Sequence, residues 1–451
     1  MVSIIQRINL SQYSTGTDKT RELIKSCQSR FALINISGEN IEIKDSEIER
    51  FVDTAITRGA GMVYSDYFKY SGNNKTECPT IEYQPGSIRD NFNFGALVLV
   101  SREAMDYYLS HSDSQKYKHT GFYQFRLILS ENFQIIRLQE YLYTIKETDN
   151  RKSGEKQFDY VNPKNSKIQL EMEQICTDHL KRIGAYLEPG IWKEPDLNST
   201  HNFPCELSVI IPVRNRVTTI EDALSSALSQ KTDFNYNILV VDNHSTDGTS
   251  SVIDHVATDK RVVKIVPQTK DLGIGGCWNL ALNNKLCGKF AVQLDSDDLY
   301  SDNNTLQKIV DTFYYLNCAM LIGSYRICDF KLNTLPPGLI DHKEWSSQNG
   351  RNNALRINGL GAPRAFYTPI IRKIGFPNVS YGEDYAVGLA MSREWKIGRI
   401  YEELYLCRRW EGNSDFSLNI DQINANDFYK DTLRSEEIVC RIKKNKGKNP
   451  Y

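Results

Sequence analysis

Phe290-Ala291-Val292-Gln293-Leu294-Asp295-Ser296-Asp297-Asp298 is the stretch from which the rest of the chain is read. Phe290 to Leu294 reads as a short buried strand that ends at Asp295. Three carboxylates then crowd into four positions. Mutual repulsion makes that costly unless a cation or buried donors compensate. Carboxylate-rich sites suit Mg²⁺ or Mn²⁺, which also favour phosphate oxygens. A polar loop leading into the next helix, with Asp302 as N-cap, explains so short a motif about as well.

Upstream of that stretch, strands and helices alternate. Leu207 to Val213, Asn237 to Val241 and Arg261 to Val266 read as apolar strands. Thr218-Thr219-Ile220-Glu221 fits a capping box, and Ile220, Ala223, Leu224, Ala227 and Leu228 form one apolar helical face behind it. Asp247-Gly248-Thr249 turns into a second helix, and Gly275 to Leu286 reads as a third. This rhythm implies an α/β fold with a largely parallel sheet covered on both faces. Ligands bind such sheets at the carboxyl ends of the strands, which is where Asp242 and Asp295 fall.

Three further motifs carry chemistry. Asp242, in Val241-Asp242-Asn243-His244-Ser245-Thr246-Asp247-Gly248-Thr249, can accept the N–H of a nucleobase. Pro212-Val213-Arg214-Asn215 opens a strand into a loop whose backbone could hold a base and whose Arg214 could meet phosphate. Tyr381-Gly382-Glu383-Asp384-Tyr385 offers a general base after a glycine turn. Each has an ordinary explanation: a turn, the end of a strand, and acidic residues favoured by a helix dipole.

In this order and spacing the motifs resemble the inverting, nucleotide-sugar-dependent glycosyltransferases of family 2, which have the GT-A fold. The resemblance implies a mixed, mostly parallel sheet flanked by helices, over residues 205–415. It implies that Asp242 binds the nucleobase, helped by Pro212, Val213, Arg214, Asn215 and Asn279. Asp295 contacts the ribose or the metal shell, and Asp297 ligates Mn²⁺ or Mg²⁺ at the leaving diphosphate. Asp384 takes the proton from the acceptor hydroxyl, and Glu383 supports it. Trp345, Arg364 and Tyr381 fall in the acceptor region, Trp345 as a stacking platform and Arg364 as a phosphate or carboxylate clamp. Trp278 stands where the family often has Arg. Trp410 and Glu411 stand near Gly412-Asn413-Ser414, where it often supplies a metal-binding His, so His244 and His342 are the candidates for a third ligand. The donor is a nucleotide-diphosphate sugar, most commonly a UDP-sugar in this family, and the acceptor a glycan or a lipid-linked glycan.

Residues 1–165 repeat the later part of this pattern. Arg30-Phe31-Ala32 parallels Lys289-Phe290-Ala291, Met62 parallels Met320, Gly95-Ala96 parallels Gly361-Ala362, and Leu142-Tyr143 parallels Leu404-Tyr405. Self-similarity over this length suggests duplication. Opposite Asp295, Asp297 and Asp298 stand Ile36, Gly38 and Glu39, and opposite Asp384 stands Tyr123. The first copy starts too late, on this reading, to hold the strands ending at Pro212 and Asp242. The expectation is a smaller, partial and inactive GT-A-like domain, a packing partner, homodimer surface or acceptor platform. Residues 166–204 read as a linker helix and loop, and 416–451 as a helix with a basic tail suited to peripheral contact with anionic lipid.

Composition narrows the alternatives. The chain has 451 residues with 55 Lys+Arg against 56 Asp+Glu, so no basic footprint for nucleic acid exists. Met1 to Arg7 lacks the apolar core of a signal peptide. The ten cysteines form no C-x-x-C pair, which suits free thiols in the cytoplasm. The competing functions are a non-catalytic nucleotide-sugar module and another nucleotide enzyme, such as a nucleotidyltransferase. The latter would want a Gly-rich, basic loop after the first strand, where this chain has Pro212-Val213-Arg214-Asn215.

Overall fold

The structure is a computed structural model that describes residues 4–10, 15–71, 74–112, 116–146, 165–199, 202–343, 345–413 and 417–447. Ser414 of the Gly412-Asn413-Ser414 motif and residues 448–451 of the basic tail lie outside the described residues. The chain divides into two compact units. The first comprises Met1–Leu187, Leu355–Ile357 and Ser417–Tyr451; the second comprises Glu188–Ala354 and Asn358–Phe416.

The first unit holds strands β1 (Ile5–Asn9), β2 (Phe31–Asn35), β3 (Ile41–Glu42), β4 (Met62–Ser71), β5 (Asn74–Cys78), β6 (Leu97–Ser101) and β7 (Ile135–Lys146). The second holds β8 (Leu207–Val213), β9 (Tyr236–Asp242), β10 (Val262–Ile265), β11 (Phe290–Gln293), β12 (Leu299–Tyr300), β13 (Met320–Cys328), β14 (Thr334–Ile340), β15 (Arg364–Tyr367) and β16 (Ile397–Arg408). In the first unit the order is β1-β2-β6-β4-β7-β3, with β5 on β4. In the second it is β10-β9-β8-β11-β15-β13-β16-β12, with β14 on β13. From β8 onward the second order repeats the first, strand for strand.

The sense of each pair repeats too. β1–β2 and β8–β11 are parallel, β2–β6 and β11–β15 antiparallel, and β4–β7 and β13–β16 parallel with two register shifts each. Phe31 pairs with Ser101 as Phe290 pairs with Tyr367, so the copies align as the sequence predicts. The second sheet is parallel from β10 to β11 and mixed beyond it.

β1 takes the place of β8, the strand ending at Pro212 in the second copy, which corrects the expectation that the first copy lacks it. Gln6, Arg7 and Asn9 hide it, because an edge strand exposed on one side need not be apolar. Among the described residues β9 and β10 have no counterparts in the first unit. A second correction is one position long. The helix Gly121–Ser130 matches the helix Glu383–Glu394, with Tyr123 donating to Ile88 O as Tyr385 donates to Ala354 O. Phe122, not Tyr123, therefore faces the position of Asp384.

Alternation along a strand sends neighbours to opposite faces. Ala32 and Ile34 join one buried cluster of the first unit, and Phe31 and Leu33 the other, so both faces of that sheet are covered. The helix Ser166–Arg182, expected as part of a linker, belongs to the first unit, as does the helix Ile420–Asn445. Lys443 and Lys444 of the basic tail fall in the last turn of that helix. The capping box does not form: Thr219 precedes the helix Ile220–Leu228 without capping it, and its hydroxyl donates to Arg216 O.

The C-terminal helix is tied down by charge. Asp431, fully buried, accepts from Arg89 Nε at 3.1 Å, Arg434 Nη1 at 3.0 Å and Ser87 Oγ at 2.9 Å. Removing one partner of such a network leaves buried charge uncompensated. Asp431→Ala should cost about 3–5 kcal/mol of stability in urea unfolding. A loss below about 1 kcal/mol would mean that the network is dispensable.

Candidate functional site

The loops after β8 and β9 are laced together. Asn215, at φ 53°, accepts from Thr246 N through Oδ1 at 2.8 Å, and its own N–H donates to Ser245 Oγ. Arg216 N donates to Thr249 Oγ1, and Val217 N to Asp247 Oδ2. Asp242 ends β9, buried, with Oδ1 accepting from Ser245 N at 3.0 Å. Asn243 is also buried; its side-chain N–H donates to Leu272 O, while its Oδ1 has no hydrogen-bond partner among the described residues. Pro212 is half-buried, Val213 buried, and Arg214 exposed.

The turn after β11 solves its charge problem separately for each carboxylate. Asp295 takes the Gln293 side-chain N–H on both oxygens, at 2.9 and 2.8 Å, and its N–H donates to Tyr405 Oη. Asp297 Oδ2 accepts from Trp410 Nε1 at 3.1 Å and Asn413 Nδ2 at 3.2 Å, with Arg216 Nε 3.8 Å away. Asp298 Oδ1 accepts from Arg408 N at 2.8 Å. Burial, reinforced by Asp295 and Asp297, pushes the Asp298 carboxyl well above the usual carboxylate range. Burial also raises Asp295, against the pull of the Arg364 cation.

The helix Glu383–Glu394 starts after Gly382, at φ 78°, with both acids in its first turn, where the helix dipole favours them. Asp384 Oδ2 meets Arg364 Nη1 at 2.9 Å. Glu383 is buried; burial first, and then the neighbouring Asp384 charge, push its carboxyl up to about 8. Tyr381 is half-buried just ahead of the turn.

Several expected roles are corrected. Asn279, expected at the nucleotide, brackets a loop: its amide donates to Phe376 O at 2.8 Å and accepts from Phe376 N at 2.9 Å. Trp278 stacks on Phe376 in the core, so no cation replaces the family's arginine at that position. Trp345 is buried and packs flat against Gly350, where an added Cβ would sit 2.7 Å from the ring, so it offers no exposed face to a sugar. Arg364 is held by Asp384 and by Gly361 O, so it is not poised to clamp an acceptor. His244 Nε2 lies 2.9 Å from Thr269 O, and His342 is buried against Gly361. Among the described residues no group of three or more His, Cys, Asp or Glu could hold a metal ion.

Three site residues escaped the sequence reading: Gln293, Arg216 and Asn413. Gln293 had a visible signal, a lone polar side chain inside an apolar strand. Asn413 lies in the Gly412-Asn413-Ser414 motif, whose place near the metal was the signal, and Arg216 had none, because its partner Asp297 lies far away along the chain.

Comparison with known proteins places the second unit among sequences of one kind. The model of one family, Glycosyl transferase family 2, matches residues 208–373. An uncharacterized glycosyltransferase of Haemophilus influenzae is 26% identical over 195 residues, 43% of this chain and 75% of its own. One of Rickettsia bellii is 36% identical over 216 residues, 47% of this chain but only 30% of its own. Among solved structures, Staphylococcus aureus TarS (residues 1–349) in complex with UDP-GlcNAc aligns at 20% identity and a TM-score of 0.41, covering 53% of this chain and 73% of that one.

The raised Glu383 value carries a sign. An acid that titrates at 4.5 when unfolded and at about 8 when folded stabilises most below 4.5 and loses that contribution as pH rises toward 8. Glu383→Gln, which cannot ionise, should therefore flatten the fall of Tm between those two pH values. An unchanged slope would contradict the burial of this charge.

Proposed function

We propose that the second unit, whose residues 208–373 match the model of Glycosyl transferase family 2, is a GT-A enzyme of that family that moves a sugar from a nucleotide-diphosphate sugar to an acceptor hydroxyl with inversion. The observation that supports the reading is the place of Asp242, Asp295 and Asp297 at or just past the carboxyl ends of β9 and β11, which run parallel on either side of β8, with Asp384 at a helix start and paired to Arg364, whose charge also acts on Asp295. Asp242 and Asn243 Oδ1 supply acceptors for the N–H of a base; uracil has such an N–H, and a UDP-sugar is the donor that the family resemblance favours. Pro212, Val213 and Asn215 shape the same loop, and Arg216, rather than the exposed Arg214, is the cation beside the diphosphate.

The donor set fits a hard divalent ion in part. Asp297 and Asp295 offer oxygen ligands, and Trp410 cannot ligate, so the remaining positions would fall to diphosphate oxygens and water. Such an ion, Mn²⁺ or Mg²⁺, neutralises charge on the leaving diphosphate. Asp384 takes the proton of the attacking hydroxyl as the new glycosidic bond forms and the bond from the anomeric carbon to the diphosphate breaks. Glu383 stays protonated at neutral pH and so does not compete for that proton. A glycan or lipid-linked acceptor suits a cytoplasmic enzyme whose Lys443 and Lys444 touch the inner face of a membrane. Among the described residues no helix is long and apolar enough to cross one.

The first unit we read as a copy without donor chemistry. Where the second has its aspartates, the Asn35 side chain closes the loop on itself, accepting from Ser37 N and Gly38 N and donating to Glu39 O. That leaves this unit a role as packing partner, homodimer surface or acceptor platform. Replacing Asn35 to Glu39 with alanine should leave the thermal shift caused by UDP unchanged; its loss would overturn this reading.

The activity is tested with a panel of UDP- and GDP-sugars in the presence of Mn²⁺. One of them should raise Tm and be slowly hydrolysed, and Asp297→Ala should lower that turnover by about 100-fold or more. No shift and no turnover with any of them would reject the proposal.

A further inference from the structure

Gln293 is a buried amide at the end of an otherwise apolar strand, and burying such a group is costly unless both its ends are bonded. Both are. Its N–H group faces the two oxygens of Asp295, and its Oε1 accepts from Arg364 N at 3.3 Å. The two requirements fix one orientation of the amide, because its donor end must face the carboxylate. The strand register explains the meeting: Val292 pairs with Ala365, so Gln293 and Arg364 occupy the next rung of β11 and β15.

Arg364 continues the line. Its Nη1 donates to Gly361 O at 2.8 Å and meets Asp384 Oδ2 at 2.9 Å, with the side chain 17% exposed. Gly361 sits at φ +107°, a conformation that L side chains rarely adopt. Among the described residues the charged or titratable groups facing this pair include Glu383 on Asp384's own helix, Asp295 on the β11 turn and, beside Arg364, Tyr405 on β16. Arg364 is the cation of this set.

We infer that Gln293 and Arg364 form a brace that positions Asp384, the proposed base, against Asp295 on the donor side. This rests on the transferase reading above. Asp295, Gln293, Arg364 and Asp384 make one continuous line of contacts from the turn after β11, through the β11–β15 pair, to the start of the helix Glu383–Glu394, so the strand pair links the two carboxylates. Arg364 is a positioning residue, and its guanidinium is not part of acceptor recognition. Misplacing a reacting group by about 1 Å costs about 100-fold in rate.

The test uses the full chain, Mn²⁺, and whichever of UDP-glucose, UDP-galactose and UDP-GlcNAc it hydrolyses, with water in the acceptor's place. Arg364→Met should lower kcat about 100-fold and leave the Kd for UDP within about twofold. Arg364→Lys, which keeps the charge, should recover at least about tenfold of that loss, and Gln293→Leu should lose about tenfold. A Kd for UDP that weakens in step with kcat, or a kcat within about twofold of the parent, overturns the brace. Asp384→Asn separates the two ideas. If it is inactive while Arg364→Met is unimpaired, only the brace fails; if it retains full activity, the base assignment fails and takes the brace with it. Urea unfolding decides the matter without turnover: Arg364→Met and Asp384→Asn should be non-additive, and additive midpoints would overturn the brace.

Discussion

Three carboxylates in the turn after β11 set the terms for the rest of the second unit. Charges this close and this buried cannot all persist without donors. Asp298 draws the backbone of Arg408 at the end of β16. Asp297 draws the Trp410–Asn413 loop that follows. Asp295 draws Gln293, and through it β15 and the helix that starts at Glu383. The site is assembled by the need to satisfy these charges, and a bound cation would relieve the same repulsion.

The two units show what the chemistry requires beyond the fold. Their strand orders agree from β1 and β8 onward, including the paired register shifts in β4–β7 and β13–β16. Tyr143 and Tyr405 stand at matching positions, yet their hydroxyls accept from different places: Tyr143 from Ala96 N just ahead of β6, and Tyr405 from Asp295 N just past β11. What differs is local. Asn35 satisfies its loop internally, whereas Asp297 and Asp298 recruit distant partners. A neutral loop can close alone; a charged one must be held open by its surroundings, and a site that is held open can accept a ligand.

Much of this was legible in the chain. The apolar runs of β8 to β11 predict their strands to within a residue or two, because burial on both faces leaves few alternatives. The positions of Asp242 and Asp295 at strand ends follow from those runs. β1 was missed because an edge strand tolerates Gln6, Arg7 and Asn9. Asn279 and Trp345 were misread because their partners, Phe376 and Gly350, are supplied by tertiary packing that no local pattern encodes. Arg364 was given to the acceptor for the same reason: its charge was visible, but its neighbour Asp384 was not.

The central claim is that the aspartate turn of the second unit is where a nucleoside diphosphate and a divalent ion meet. Electron paramagnetic resonance of Mn²⁺ reads this directly, by the loss of the free-ion signal on addition of the protein. The account predicts little uptake by the chain alone, uptake of one ion per chain once UDP or another nucleoside diphosphate is added, and none when Asp297 is replaced by alanine. Uptake that ignores the nucleotide and survives that replacement would contradict it.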